Sequence, residues 1–266
     1  MKRVLLFLMV FGLTTTIAFS QKKETRQVSG FTGINASSVF NITVVKGSAE
    51  SLTIEADDDI MPYVRSEVKN GVLNLYISNE KQMRNIKTLK ASIVMKNLDG
   101  VTLSGACKFT TNDLFTPEKF KADCSGASEL TMNVNTDQLS IEAGGASKIQ
   151  INANVSGDAG IDVSGASNIK GELKANNVDF GSGGACSFDL TGSARNMKID
   201  ASGTSKFNGE NFVVKTATIE SSGVCEVTVN VTDALKVNSS GFSSVNYKGS
   251  PSLEVTNSKL SKVNKI

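Results

Sequence analysis

The sequence predicts an all-β chain, a right-handed parallel β-solenoid of about eight coils. Three observations carry this. A short motif recurs at a nearly fixed interval: Ser104-Gly105-Ala106-Cys107, Ser125-Gly126-Ala127-Ser128, Gly144-Gly145-Ala146-Ser147, Ser164-Gly165-Ala166-Ser167, Gly183-Gly184-Ala185-Cys186, Ser202-Gly203-Thr204-Ser205, Ser222-Gly223-Val224-Cys225 and Ser240-Gly241-Phe242-Ser243. Its central glycines lie 21, 19, 20, 19, 19, 20 and 18 residues apart. Two columns in register with them are wholly apolar. Four positions before the glycine stand Val101, Ala122, Ile141, Ile161, Phe180, Ile199, Ile219 and Val237. Four positions after it stand Phe109, Leu130, Ile149, Ile169, Phe188, Phe207, Val227 and Val245. Between the columns apolar and polar residues alternate, as in Leu139-Ser140-Ile141-Glu142-Ala143, the period of a strand with one buried face.

One coil of about twenty residues cannot cover its own apolar side; stacking the next at about 4.8 Å does so and pairs the strands. Each repeat is read as two short strands meeting at the Ser-Gly corner, where glycine accepts positive φ. The right hand follows from the bias of parallel crossovers. The leucine-asparagine signature of a leucine-rich repeat is absent, and a β-propeller needs twice this period and usually tryptophan, of which the chain has none.

Taken in order, residues 1–20 read as a signal peptide: Lys2 and Arg3, an apolar run from Val4 to Leu13, then Ala18-Phe19-Ser20 before the cut. No cysteine stands near that point, so lipoprotein processing is not expected, and the mature chain offers no transmembrane segment. Residues 21–98 read as an N-terminal β region that caps the solenoid. Val39 to Val44, Leu52 to Glu55 and Leu73 to Ile77 alternate, and Asn70-Gly71 is a hairpin signal. Asp57-Asp58-Asp59 is placed to cap a short helix, and 79–87 reads as an irregular loop. Regular repeats fill 99–256, with Pro117 and Pro251 in the turns opposite the corners. Residues 257–266 form a tail whose Lys259, Lys262 and Lys265 blunt the last edge.

Removing the leader lowers Lys plus Arg from 28 to 26, against 26 Asp plus Glu. A near-neutral chain argues against nucleic acid as a partner. Two positions after each glycine stand Cys107, Ser128, Ser147, Ser167, Cys186, Ser205, Cys225 and Ser243, a small inward slot. Cys186 and Cys225 are two coils apart, about 9.6 Å by strand spacing, beyond the reach of a disulfide. Cys107 and Cys124 fall in different columns. The expectation is four buried, unpaired thiols. With no histidine in the chain, a cysteine metal or nucleophile site lacks its usual partner.

Val28-Ser29-Gly30-Phe31-Thr32-Gly33-Ile34 after a leader, then Val39 to Val45, Leu73 to Ile77 behind Asn70-Gly71, and the iterated Ser-Gly-Ala-Ser resemble the auto-transporter adhesin, head GIN domain family of exported bacterial proteins. The resemblance covers Phe31 onward. It implies a β-solenoid without established enzymatic activity. Only about ten residues follow the repeats, too few for an autotransporter barrel.

The reading this supports is a non-enzymatic, exported, adhesin-like binding protein that presents a solenoid face to an extended ligand, a glycan or a protein. The alternative is a periplasmic structural or envelope protein acting through protein partners. A carbohydrate-active enzyme is the remote third, since three tyrosines and no tryptophan give few sugar platforms. Periplasm, cell surface and secretion all remain open. Three positions before the glycine an outward column reads Thr102, Asp123, Glu142, Asp162, Gly181, Asp200, Glu220 and Asn238. The simple reading is a solvated face eased by Lys121 and Lys148. The sharper one is a calcium ladder at Asp123, Glu142 and Asp162. No other cofactor is expected.

Overall fold

The computed structural model describes residues 21–79 and 86–266. The leader expected over 1–20 lies outside the described residues, as does the centre of the 79–87 loop. The described chain forms a 19-stranded sheet wound into a parallel solenoid, and no helix in it is long and apolar enough to cross a membrane.

The strands from the first glycine corner onward are β8 (Gly100–Leu103), β9 (Lys108–Phe115), β10 (Lys119–Cys124), β11 (Glu129–Ala143), β12 (Lys148–Gly165), β13 (Asn168–Gly184), β14 (Ser187–Ala201), β15 (Lys206–Ser221), β16 (Glu226–Ser239), β17 (Ser244–Lys248), β18 (Ser252–Asn257) and β19 (Lys262–Lys265). Before them stand β1 (Gln21–Arg26), β2 (Gly33–Ala36), β3 (Asn41–Lys46), β4 (Ser51–Asp57), β5 (Val64–Lys69), β6 (Val72–Ile77) and β7 (Leu89–Met95). The expected columns are the observed register: Ile149 stands on Leu130 and under Ile169, and Ile161 stands on Ile141 and under Phe180. All of these side chains are buried. In the middle coils the core becomes aromatic, with Phe180 and Phe207 ring centroids 5.0 Å apart. From β11 to β16 each strand runs unbroken from one corner to the next instead of splitting in two. The opposite bend is taken up by register shifts, such as that between Thr136 and Gln138. A bulge turns the chain without giving up the rest of the ladder.

The corners are tight for two reasons. Gly145 has φ +72, and a β-carbon there would stand 2.4 Å from the carbonyl oxygen of Gly126 on the coil before. That carbonyl accepts the Ala146 N–H at 2.7 Å, so the ladder passes through the corner. The slot two residues on is small for a further reason. The Ser128, Ser147, Ser167, Ser205 and Ser243 hydroxyls donate to the carbonyl three residues back at 2.8 to 3.0 Å. The Cys225 thiol makes the same bond at 3.2 Å and the Cys186 thiol at 3.5 Å. All four cysteines are buried and unpaired.

The ladder extends beyond the Ser-Gly repeats in both directions. Ile34 pairs with Val101 and Ile42 with Phe109, so β2 and β3 form a coil of their own. Its corner residue is Ser38, at φ +85, and Phe40 fills the slot. At the other end Lys262 N–H donates to Ser243 O at 3.0 Å, and β19 lies parallel on β17, with Ser261 buried in the slot column. The strands β4, β5 and β1 close the N-terminal end in antiparallel pairs. Asn70 and Gly71, both at positive φ, make the expected hairpin.

The aspartate run does not cap a helix. The segment after it is one 3-10 turn, Met61–Tyr63, capped by Ile60 without a side-chain bond. The Asp57 carboxylate instead accepts the Lys87 and Thr88 N–H groups at 2.7 and 3.2 Å, tying the turn to the start of β7.

Candidate functional site

A groove of about 940 Å³ runs along one flank of the glycine corners, from Thr102 to Asn238. Two columns that strand alternation turns outward line it, together with edges of the inward residues between them, such as Leu103, Ala143, Val163 and Ala201. Asp123, Glu142, Asp162, Gly181, Asp200, Glu220 and Asn238 stand directly above one another. Beside them, one place before the glycine, stand Ser125, Ser164, Ser202, Ser222 and Ser240. The column of carboxylates was legible in the sequence. In the sequence the serines are legible only as corner residues.

Both columns present acceptors. The hydroxyls of Ser125, Ser164, Ser202 and Ser240 donate to a carbonyl of the coil before, at 2.9 to 3.4 Å. Their protons are thus taken, and oxygen lone pairs remain for a ligand. The carboxylates add further acceptors.

The three residues of the expected calcium ladder are in register, but they do not converge. Lys121 Nζ lies 3.3 Å from Asp123 and 3.1 Å from Glu142, bridging the two. Glu142 and then Asp123 hold that ammonium above the usual lysine range. Asp123 Oδ1 is shut off from solvent without a hydrogen bond, and the same ammonium compensates it. The carboxylate of Asp162 leans the other way, into the space over Gly181. Among the described residues no group of three or more Cys, Asp or Glu side chains is placed to hold a metal ion. Lys148, expected to ease the column, is on the other flank of the corner and pairs with Glu129 at 3.5 Å. Further along the groove Lys198 pairs with Asp200 at 2.7 Å.

Cys107 and Cys124 are not activated thiols. Burial pushes the Cys107 thiol up to about 11 and the Cys124 thiol up to about 12, with Asp123 adding to the latter. A thiol kept protonated in the core is inert.

Comparison with known proteins agrees with this architecture. Among solved structures, a putative adhesin from Parabacteroides merdae superposes with TM-score 0.66 at 17% identity, over 92% of this chain and 96% of that one. A putative adhesin from Parabacteroides distasonis gives 0.65 at 19%, over 94% and 98%. A structure named a putative lipid binding protein, also from Parabacteroides distasonis, gives 0.65 at 15%, over 92% and 96%. At these identities the likeness is one of fold. No curated protein matches the chain. The family model described as "Putative auto-transporter adhesin, head GIN domain" matches residues 30–157 and again 155–251. With most of its length matched, the chain belongs to that adhesin head GIN domain family.

Proposed function

We propose that the chain is a non-enzymatic, adhesin-like protein of the cell exterior whose groove binds an extended, hydroxyl-rich ligand, a glycan chain. One observation carries the reading: a carboxylate column and a serine column, both acceptors, run side by side along the groove, interrupted by Gly144 and at the coil of Gly181 and Gly183. A repeating wall of acceptors suits a repeating array of hydroxyl donors. An extended protein segment could use the same spacing, but its backbone needs donors and acceptors in equal measure, and the groove offers mainly acceptors. The family and the neighbours named adhesins support the general role.

The test is a glycan array probed with the full mature chain and with a triple charge reversal, Glu142→Lys, Asp200→Lys and Glu220→Lys. The reading expects a set of polymeric glycans bound by the first and lost at least tenfold by the second. Equal binding by both, or binding of none, overturns it.

A further inference from the structure

We infer that the groove selects a glycan bearing a free amino group, which it receives in a notch over Gly181 and Gly183. This rests on the reading of the groove as a glycan site and names the sugar it prefers.

The acceptor wall is broken most fully at a single coil. Gly144 removes one serine, but Glu142 remains beside it. On β13 both outward positions are glycine: Gly181 in the carboxylate column and Gly183 in the serine column. The backbone requires neither. Both lie outside the positive-φ region, unlike the corner residue Gly184 at +112. A β-carbon on Gly183 would meet nothing nearer than the Ser202 hydroxyl at 3.7 Å, so a serine would fit there. A β-carbon on Gly181 would run into the Asp162 carboxylate, the movable end of a side chain. The wall therefore has a gap one coil wide, between flanking coils about 9.6 Å apart, two strand spacings. Gly160, in the next outward column, leaves that side open too, with nothing within 4 Å of its β-position.

Asp162 supplies the chemistry of the gap. Its carboxylate leans into it. The neighbouring charges are answered: Lys121 bridges Asp123 and Glu142, and Lys198 holds Asp200 at 2.7 Å. Asp162 makes no ion pair among the described residues. An ammonium on a sugar ring lying across this coil can enter where a side chain would otherwise stand and donate to that carboxylate, both partners charged. A hydroxyl would donate there as well, but leaves the charge unanswered. An acetylated amine has lost the charge and is larger. A lysine of an extended protein carries the same charge. The glycan is favoured because the walls on either side of the notch offer mainly acceptors, which a peptide backbone matches only in part.

The test uses β-linked oligomers of glucose, of N-acetylglucosamine and of glucosamine, alike in length and linkage and different only at the second carbon. They are titrated calorimetrically onto the full mature chain at about pH 6, where amines and carboxylates are both charged, in about 0.15 M salt. Three variants are run alongside. Asp162→Asn removes the charge, Gly181→Ala turns the carboxylate out of the gap, and Glu220→Gln removes the same charge elsewhere in the groove. Circular dichroism and melting check that each folds. The parent is expected to bind the glucosamine oligomer about fivefold more tightly than the glucose oligomer, the scale of one exposed charge pair. Asp162→Asn and Gly181→Ala bring that ratio close to one, and Glu220→Gln keeps most of it. Equal binding of the three oligomers, or an equal fall of the ratio in Glu220→Gln, overturns the notch and leaves the glycan groove standing. Failure of the glucosamine oligomer to bind, while other glycans do, has the same meaning. Binding of no glycan overturns both readings. Tighter binding of an alternating Ser-Lys peptide of equal charge overturns the inference in favour of a basic protein segment.

Discussion

The carbonyl oxygen of Gly126 lies 2.4 Å from where a β-carbon on Gly145 would stand, and the same oxygen accepts the Ala146 N–H at 2.7 Å. The approach that makes the hydrogen bond also forbids a side chain. Gly145→Ala therefore meets both a clash and positive φ, and is expected to cost about 3 kcal/mol in urea unfolding. Ser38 holds the equivalent place in the first coil at φ +85. There the opposite change, Ser38→Gly, is expected to raise stability by up to about 1 kcal/mol. Equal and small effects at the two positions would show that the corners are not stacked as described.

The slot column explains why serine and cysteine exchange within it. Cys186→Ser places a hydroxyl where Ser147 and Ser167 make their bonds to the carbonyl three residues back. The expected change is within about 0.5 kcal/mol. Ser147→Ala leaves the half-buried Gly144 carbonyl without that donor and is expected to cost about 1 kcal/mol. Chemical denaturation of the two variants side by side decides the matter.

Two buried thiols, Cys107 and Cys124, give the fold an alkaline limit. Their pKa values are raised, so the native state holds protons that the unfolded chain gives up from about pH 9. Unfolding then releases protons, and stability falls as pH rises. The contribution is whole below pH 9 and declines through the window up to about 11 for Cys107 and about 12 for Cys124. Urea midpoints between pH 8 and 11 should fall less steeply in a Cys107→Ser/Cys124→Ala variant than in the parent. Parallel curves would mean that the thiols are not buried.

Much of this architecture can be read from the chain, and the exceptions share a cause. Gly105 to Gly241 are legible because stacking and positive φ together admit only glycine. The column from Val101 to Val237 is legible because alternation fixes which side faces in. The first coil is hidden because Ser38 stands where the motif has glycine and Phe40 where it has a small residue. The last is hidden because Lys259 and Leu260 replace Gly-Ala, leaving Ser261 alone to mark the slot. In the groove the carboxylates announce themselves by type. Which lysine reaches them does not, since Lys121 and Lys148 differ only in the flank of the corner they occupy. Spacing alone assigned both to the column; the ion pair of Lys148 with Glu129 puts it on the other side.

Lys121 holds Asp123 and Glu142 in a form that calcium cannot use without displacing it. Millimolar calcium is expected to leave the melting temperature of the parent unchanged. In Lys121→Gln the two stacked carboxylates lose their ammonium and the shielded Asp123 Oδ1 is left uncompensated, so stability in the absence of calcium falls and the melting temperature becomes calcium-responsive. A rise in the parent itself would reinstate a calcium ladder at Asp123, Glu142 and Asp162.

The central claim is that this groove meets its ligand outside the cell. The direct measurement is protease access to a C-terminally tagged chain on intact cells of the native host. The account expects the tag to be lost from intact cells. Survival of the tag until the envelope is opened would contradict it and place the solenoid among partners inside the envelope.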